Sequence, residues 1–137
     1  MKKYTLISFL WLLFGCDNNA IVHAYDKTFT QTPIRCMKLL VIPKDKIITQ
    51  TLLKRYSFKK ECDLTLHVSF KSGITCNSTH NVVQKNLSAF PSSYLKMELR
   101  KGLNVPYSYY IDLNDKPDED DVNDGFDRLE KDLKIKM

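Results

Sequence analysis

The sequence predicts a mainly β domain of the α+β class: a small antiparallel β-sandwich or barrel carrying a C-terminal amphipathic helix. Three observations support this. Segments between residues 62 and 113 alternate apolar and polar residues with period two, as strands with one buried face do. Short turns separate these segments, which favours antiparallel neighbours over long crossovers. After Pro117 the apolar spacing changes to that of a helix.

Taken in order, Cys36 to Ile42 is a short apolar run expected to be a buried strand, closed by Pro43 and a Lys44-Asp45-Lys46 turn. Ile47 to Phe58 mixes β-branched and aromatic residues and is expected to be a second strand. In the next segment Cys62, Leu64, Leu66, Val68 and Phe70 fall on one face, and Asp63, Thr65, His67 and Ser69 on the other. Gly73 supplies a turn and Ile74 begins the return. Asn81 to Ala89 fits either a short helix or a loop. Tyr94 to Arg100 alternates with Leu95, Met97 and Leu99 inward, and a turn around Gly102 leads into Val105 to Leu113. In the tail, Asp118 is the expected N-cap, with acidic residues in the first turn facing the positive end of the helix dipole. Val122, Phe126, Leu129 and Leu133 form its apolar stripe. Asp127–Lys131 and Glu130–Lys134 have the spacing of i,i+4 ion pairs, while Gly125 weakens the helix by about 1 kcal/mol.

The N-terminus has a different character. Met1-Lys2-Lys3 precedes an apolar run from Tyr4 to Phe14, closed by Asp17-Asn18-Asn19. A cationic start followed by a short apolar run is the pattern of an export signal, and the run is short of the roughly 20 residues a transmembrane helix needs. Two processing sites follow. Leu13-Phe14-Gly15-Cys16 resembles the lipobox of bacterial lipoproteins, which implies lipidation of Cys16. Asp17 after it resembles the inner-membrane retention signal of enteric lipoproteins. Val22-His23-Ala24 is a site for ordinary cleavage before Tyr25. The expected organisation is a signal peptide over 1–16 (alternatively 1–24), a polar tether over 17–33, an antiparallel β domain over 34–113, and an acidic helix over 114–137 packed on that domain.

Charge is divided along the chain. Tyr25 to Ile111 holds 14 Lys and Arg against 5 Asp and Glu; Asp112 to Met137 holds 5 against 10. A basic body in an exported protein points away from nucleic acid and toward envelope anions or an acidic patch on another protein. Once Cys16 is lipidated or cleaved away, Cys36, Cys62 and Cys76 remain. An oxidising compartment allows one bridge among them. With Lys71-Ser72-Gly73 as a hairpin loop, Cys76 faces Val68, which places it about 20 Å from Cys62. The bridge is then expected between Cys36 and either Cys62 or Cys76.

The constellations that would carry chemistry are incomplete. Asp120, Asp124 and Gly125 match part of a calcium loop, but Val122 and Lys131 occupy ligand positions. Cys62, His67, Cys76 and His80 lack the tight pairing of zinc sites. There is no G-x-S-x-G, and the four glycines are unclustered. No catalytic residue, metal or cofactor is therefore assigned. Glu61 and Glu98 lie beside basic residues, as surface ion pairs do. Tyr107, Tyr109 and Tyr110 are the candidate partner-binding residues, because tyrosine combines apolar area with a hydroxyl.

In export, size, basic charge and lack of catalytic residues the chain resembles periplasmic bacteriocin immunity proteins. That resemblance implies an exported, non-catalytic protein that binds and neutralises a toxin or enzyme in the periplasm, with a membrane attachment if Cys16 carries lipid. The alternatives are an accessory lipoprotein of a secretion, pilus or conjugation apparatus and, from another class, a small envelope hydrolase.

Overall fold

A computed structural model describes residues 19–75 and 91–136. The elements are β1 (Ile21–Ala24), α1 (Lys27–Gln31), β2 (Lys38–Ile42), α2 (Lys46–Arg55), β3 (Leu64–Lys71), β4 (Ser93–Lys101), β5 (Asn104–Leu113) and α3 (Glu119–Asp132). The strands form one open sheet in the order β1-β5-β4-β3-β2. Three of its ladders are antiparallel; β2 and β3 run parallel. The architecture is thus α+β, as expected, but it is a five-stranded mixed sheet rather than a closed barrel, and no sandwich is formed among the described residues.

The difference traces to α2. Ile47 to Phe58 was expected to be a strand because its β-branched residues favour one. Position overrides that preference. The Asp45 side chain accepts from the Ile48 N–H at 3.0 Å, capping a helix. Ile48, Thr51 and Leu52 then fall at helical spacing and are buried. The supposed Lys-Asp-Lys turn is this cap. A helix between β2 and β3 is what a parallel pair requires, since its connection must cross the sheet. Cys36 and Cys62 close the crossover with a disulfide, Cα atoms 5.9 Å apart, one of the two expected pairings. Cys76, the alternative partner, lies outside the described residues, as do the Asn81 to Ala89 segment and Cys16.

The strand registers match the alternation. Leu66, Val68, Leu95, Met97, Leu99, Tyr107 and Tyr109 share one face and are buried against Ile48 and Leu52 of α2 and Val122, Phe126 and Leu129 of α3. Burial of side chains this size contributes about 1.5–3 kcal/mol each. The β4–β5 turn needs Gly102, whose φ of +60° disfavours a side chain. After β3 the chain does not return at Ile74 as expected. Phe70 pairs with Leu95 of β4, and the Ile74 N–H reaches the Ser92 carbonyl. Lys71 pairs with Tyr94, so no tight hairpin closes around Gly73.

The tail helix matches its expected start. Asp118 accepts from the N–H groups of Asp120 and Asp121, and its own N–H donates to the Asp121 carboxylate, a complete capping box. Its acidic residues find other partners than those expected. Asp127 and Glu130 both take Arg55 from α2, at 2.5 and 2.7 Å, and Arg128 pairs with Asp132. The Arg55 guanidinium also lies over the Phe126 ring, 5.3 Å from its centroid. Gly125 is the contact point with the sheet. A Cβ there would lie 2.9 Å from Met97 Cε and 3.0 Å from Tyr109 Cε1.

The polar tether expected over 17–33 is partly structured. Ile21–Ala24 pair with Tyr107–Tyr110 as the outer strand β1, and Lys27–Gln31 form a turn of helix capped by Asp26. The 34–113 segment is likewise mixed rather than wholly antiparallel, and Ile34 bridges to Ile135 beyond α3.

Candidate functional site: the open face of the sheet

Both long helices lie on one face of the sheet. The opposite face carries no helix among the described residues, so its side chains are the candidate functional surface. The registers arrange them in rows. One row runs His23, Ser108, Glu98, His67, Leu40 across all five strands. The next runs Ile21, Tyr110, Lys96, Ser69, Ile42.

Glu98 is at the centre and only 5% exposed. Alternation along β4 places Lys96 and Arg100 on the same face, two residues to either side. Lys96 Nζ pairs with Glu98 Oε1, while the Arg100 guanidinium grips Oε2, with Nε at 2.9 Å. Burial would raise the Glu98 carboxyl above its ordinary value. The hydrogen bonds from Lys96 and Arg100 outweigh that and hold it below the usual range. His67 Nδ1 is 3.9 Å from Glu98 Oε2, beyond hydrogen-bond reach, and is buried without a partner. Burial, followed by the charge of Arg100, depresses the imidazole, which favours its neutral form.

Aromatic rings flank this centre. Tyr94 and Tyr110 stack with centroids 5.6 Å apart, and the Tyr110 hydroxyl donates to Asp112 at 2.7 Å. That hydrogen bond, with burial second, raises Tyr110 to about 12. His23 and Tyr25 stack at 5.5 Å along β1 and the turn after it. Between these pairs lies an open depression of about 510 Å³, with Lys96, Glu98 and Ser108 in its lining.

The three tyrosines proposed for partner binding separate. Tyr107 and Tyr109 are 0% and 2% exposed and face the helices, so neither reaches a partner of the folded domain. The Tyr107 hydroxyl donates to Asp132 at 2.9 Å, and burial followed by this bond pushes it well above the ordinary tyrosine value. Burial raises Tyr109 to about 12. Tyr110 lies on the open face. The expectation that Glu98 is a surface ion pair needs correction: its partners are the neighbouring cations, but the carboxylate is buried. The spacing Lys-x-Glu-x-Arg on an alternating strand is the signal that would have placed the three together. His67 faces the same surface, whereas His80 lies outside the described residues.

No group of three or more His, Cys, Asp or Glu among the described residues is placed to hold a metal ion. No helix among them is long and apolar enough to cross a membrane. Comparison with known proteins finds no matching family model, no matching curated protein and no matching solved structure.

Proposed function

We propose that the protein is an exported, non-catalytic binding protein of the bacterial envelope that neutralises a toxin or enzyme in the periplasm. The observation that carries this reading is the cationic and aromatic open face built around Glu98. A carboxylate held ionised by two cations is a poor proton donor, and its lone pairs are already engaged, so it serves recognition better than acid–base chemistry. Arg100 and the Tyr94–Tyr110 pair are residue types that anchor protein interfaces, and the cations of Lys96 and Arg100 suit an acidic partner surface. The Cys36–Cys62 disulfide supports an oxidising compartment. Attachment to the inner membrane through Cys16 belongs to the same proposal; intact mass of the mature chain tests it, a lipid-modified start at Cys16 being the expected result.

The functional experiment is protection. Expressed with its export signal, the chain should protect cells against the toxin or enzyme encoded beside its gene. Tyr110→Ala combined with Tyr94→Ala, which removes the stacked ring pair and leaves the Glu98 ion pairs in place, should weaken that protection while the domain stays folded. Full-length chain that gives no protection would sink the immunity role.

A further inference from the structure

A second surface lies at the far edge of the sheet. β2 pairs only with β3, and among the described residues its outer edge carries no partner strand. An open edge of this kind presents unpaired backbone N–H and C=O groups. Beside it, between β2 and α2, runs a groove of about 710 Å³ whose apolar wall includes Leu39, Val41 and Leu53. Leu40, Ile42 and Leu53 are 44, 49 and 54% exposed, a concentration of uncovered apolar surface around one short strand. We propose that this edge and groove bind an extended, acidic and apolar segment of another protein, which adds to the sheet as a sixth strand beside β2. The inference rests on the reading of the chain as a protein-binding protein, and uses the β2 edge and the groove on the helix side, which meet the open face only at Leu40 and Ile42.

Three features select this occupant. The backbone of β2 supplies a ladder for about five residues, roughly 16 Å of extended chain. The adjoining groove can take alternate side chains, which is how strand addition obtains specificity. Charge then sets the sign of the ligand. Lys44 and Lys46 line the groove and Lys38 begins the strand. The nearby acid, Asp45, is already paired with Lys116 at 2.6 Å. Acidic side chains on the incoming strand would meet these lysines. A second copy of this chain would instead bring three more lysines to the contact.

The probe is a fluorescein-labelled nonapeptide of alternating valine and glutamate, titrated with the full domain at low ionic strength and followed by anisotropy. Saturable binding is expected, at least about tenfold tighter than for the valine–lysine counterpart. Methylating the backbone nitrogens at alternate positions should abolish binding in one of the two possible frames and spare it in the other, because only one frame pairs with the edge. Lys44→Glu with Lys46→Glu, both on the surface, should weaken the acidic peptide about tenfold. Amide exchange should slow at residues 38–42. Flat titrations, indifference to methylation in both frames, protection at β1 instead of β2, or dimerisation through β2 would each overturn the proposal. The protection assay reports separately on the immunity role. Peptide binding without protection leaves the groove standing and removes that role, and protection without peptide binding does the reverse.

Discussion

Gly125 shows how a single missing methyl group positions a helix. In an exposed helix, Gly to Ala gains about 1 kcal/mol. Here the new Cβ meets Met97 and Tyr109, both fully or almost fully buried. Overpacking of this kind costs about 1–3 kcal/mol. Gly125→Ala is therefore expected to destabilise by about 1 kcal/mol in urea melts, and Gly125→Val by more; a stabilised Ala variant would show that Met97 gives way freely. His67 makes a pH prediction. Its folded value lies below the ordinary 6.5, so within that window the unfolded chain holds a proton that the folded chain does not. Stability then falls as pH drops. Glu98, whose value is also lowered, loses its contribution only further down, as pH falls through the carboxylate range. Between about pH 7.5 and about pH 5.5, the urea midpoint of the wild type should fall more than that of His67→Gln. Equal falls would remove His67 as the cause.

At the scale of elements, α3 owes its start to Asp118 and its seat to the stripe ending at Leu133. Asp118→Ala should cost about 1 kcal/mol, seen as a lower urea midpoint with an unchanged slope. This helix was legible in the sequence because its cap, its dipole charges and its apolar period all agree. β3, β4 and β5 were legible because alternation registers burial on one face directly. Two things were not. In α2, β-branched residues argued against a helix that the Asp45 cap and the parallel crossover impose. For the tail carboxylates, i,i+4 spacing suggested local lysines, whereas tertiary packing brought Arg55 from α2. The candidate site was half visible. The pattern Lys96-x-Glu98-x-Arg100 lies in plain sequence, but the row joining Glu98 to His67 and Ser108 depends on strand registers that no local pattern contains. For Tyr107 and Tyr109 the face is clear from alternation and the tail helix was expected to pack on the domain, but the second covering helix, α2, was not.

For the whole molecule, the disulfide ties together the ends of the β2–α2 crossover, a separation of 26 residues. Closing a loop of this size is worth about 3 kcal/mol, so the Cys36→Ser, Cys62→Ser double variant should unfold at correspondingly lower urea. The groove beside β2 lies within that closed loop, so the double variant should also bind the valine–glutamate peptide more weakly. β1 has a consequence of another sort. Its four residues contain Val22-His23-Ala24, one of the two places where an export peptidase is expected to cut. A chain starting at Cys16 carries five strands. A chain starting at Tyr25 carries four, with the β5 edge bare and the His23 wall of the open-face depression gone. On the proposed export, a cut after Ala24 would thus also set the architecture, and the mass of the mature chain would report how many strands it folded with.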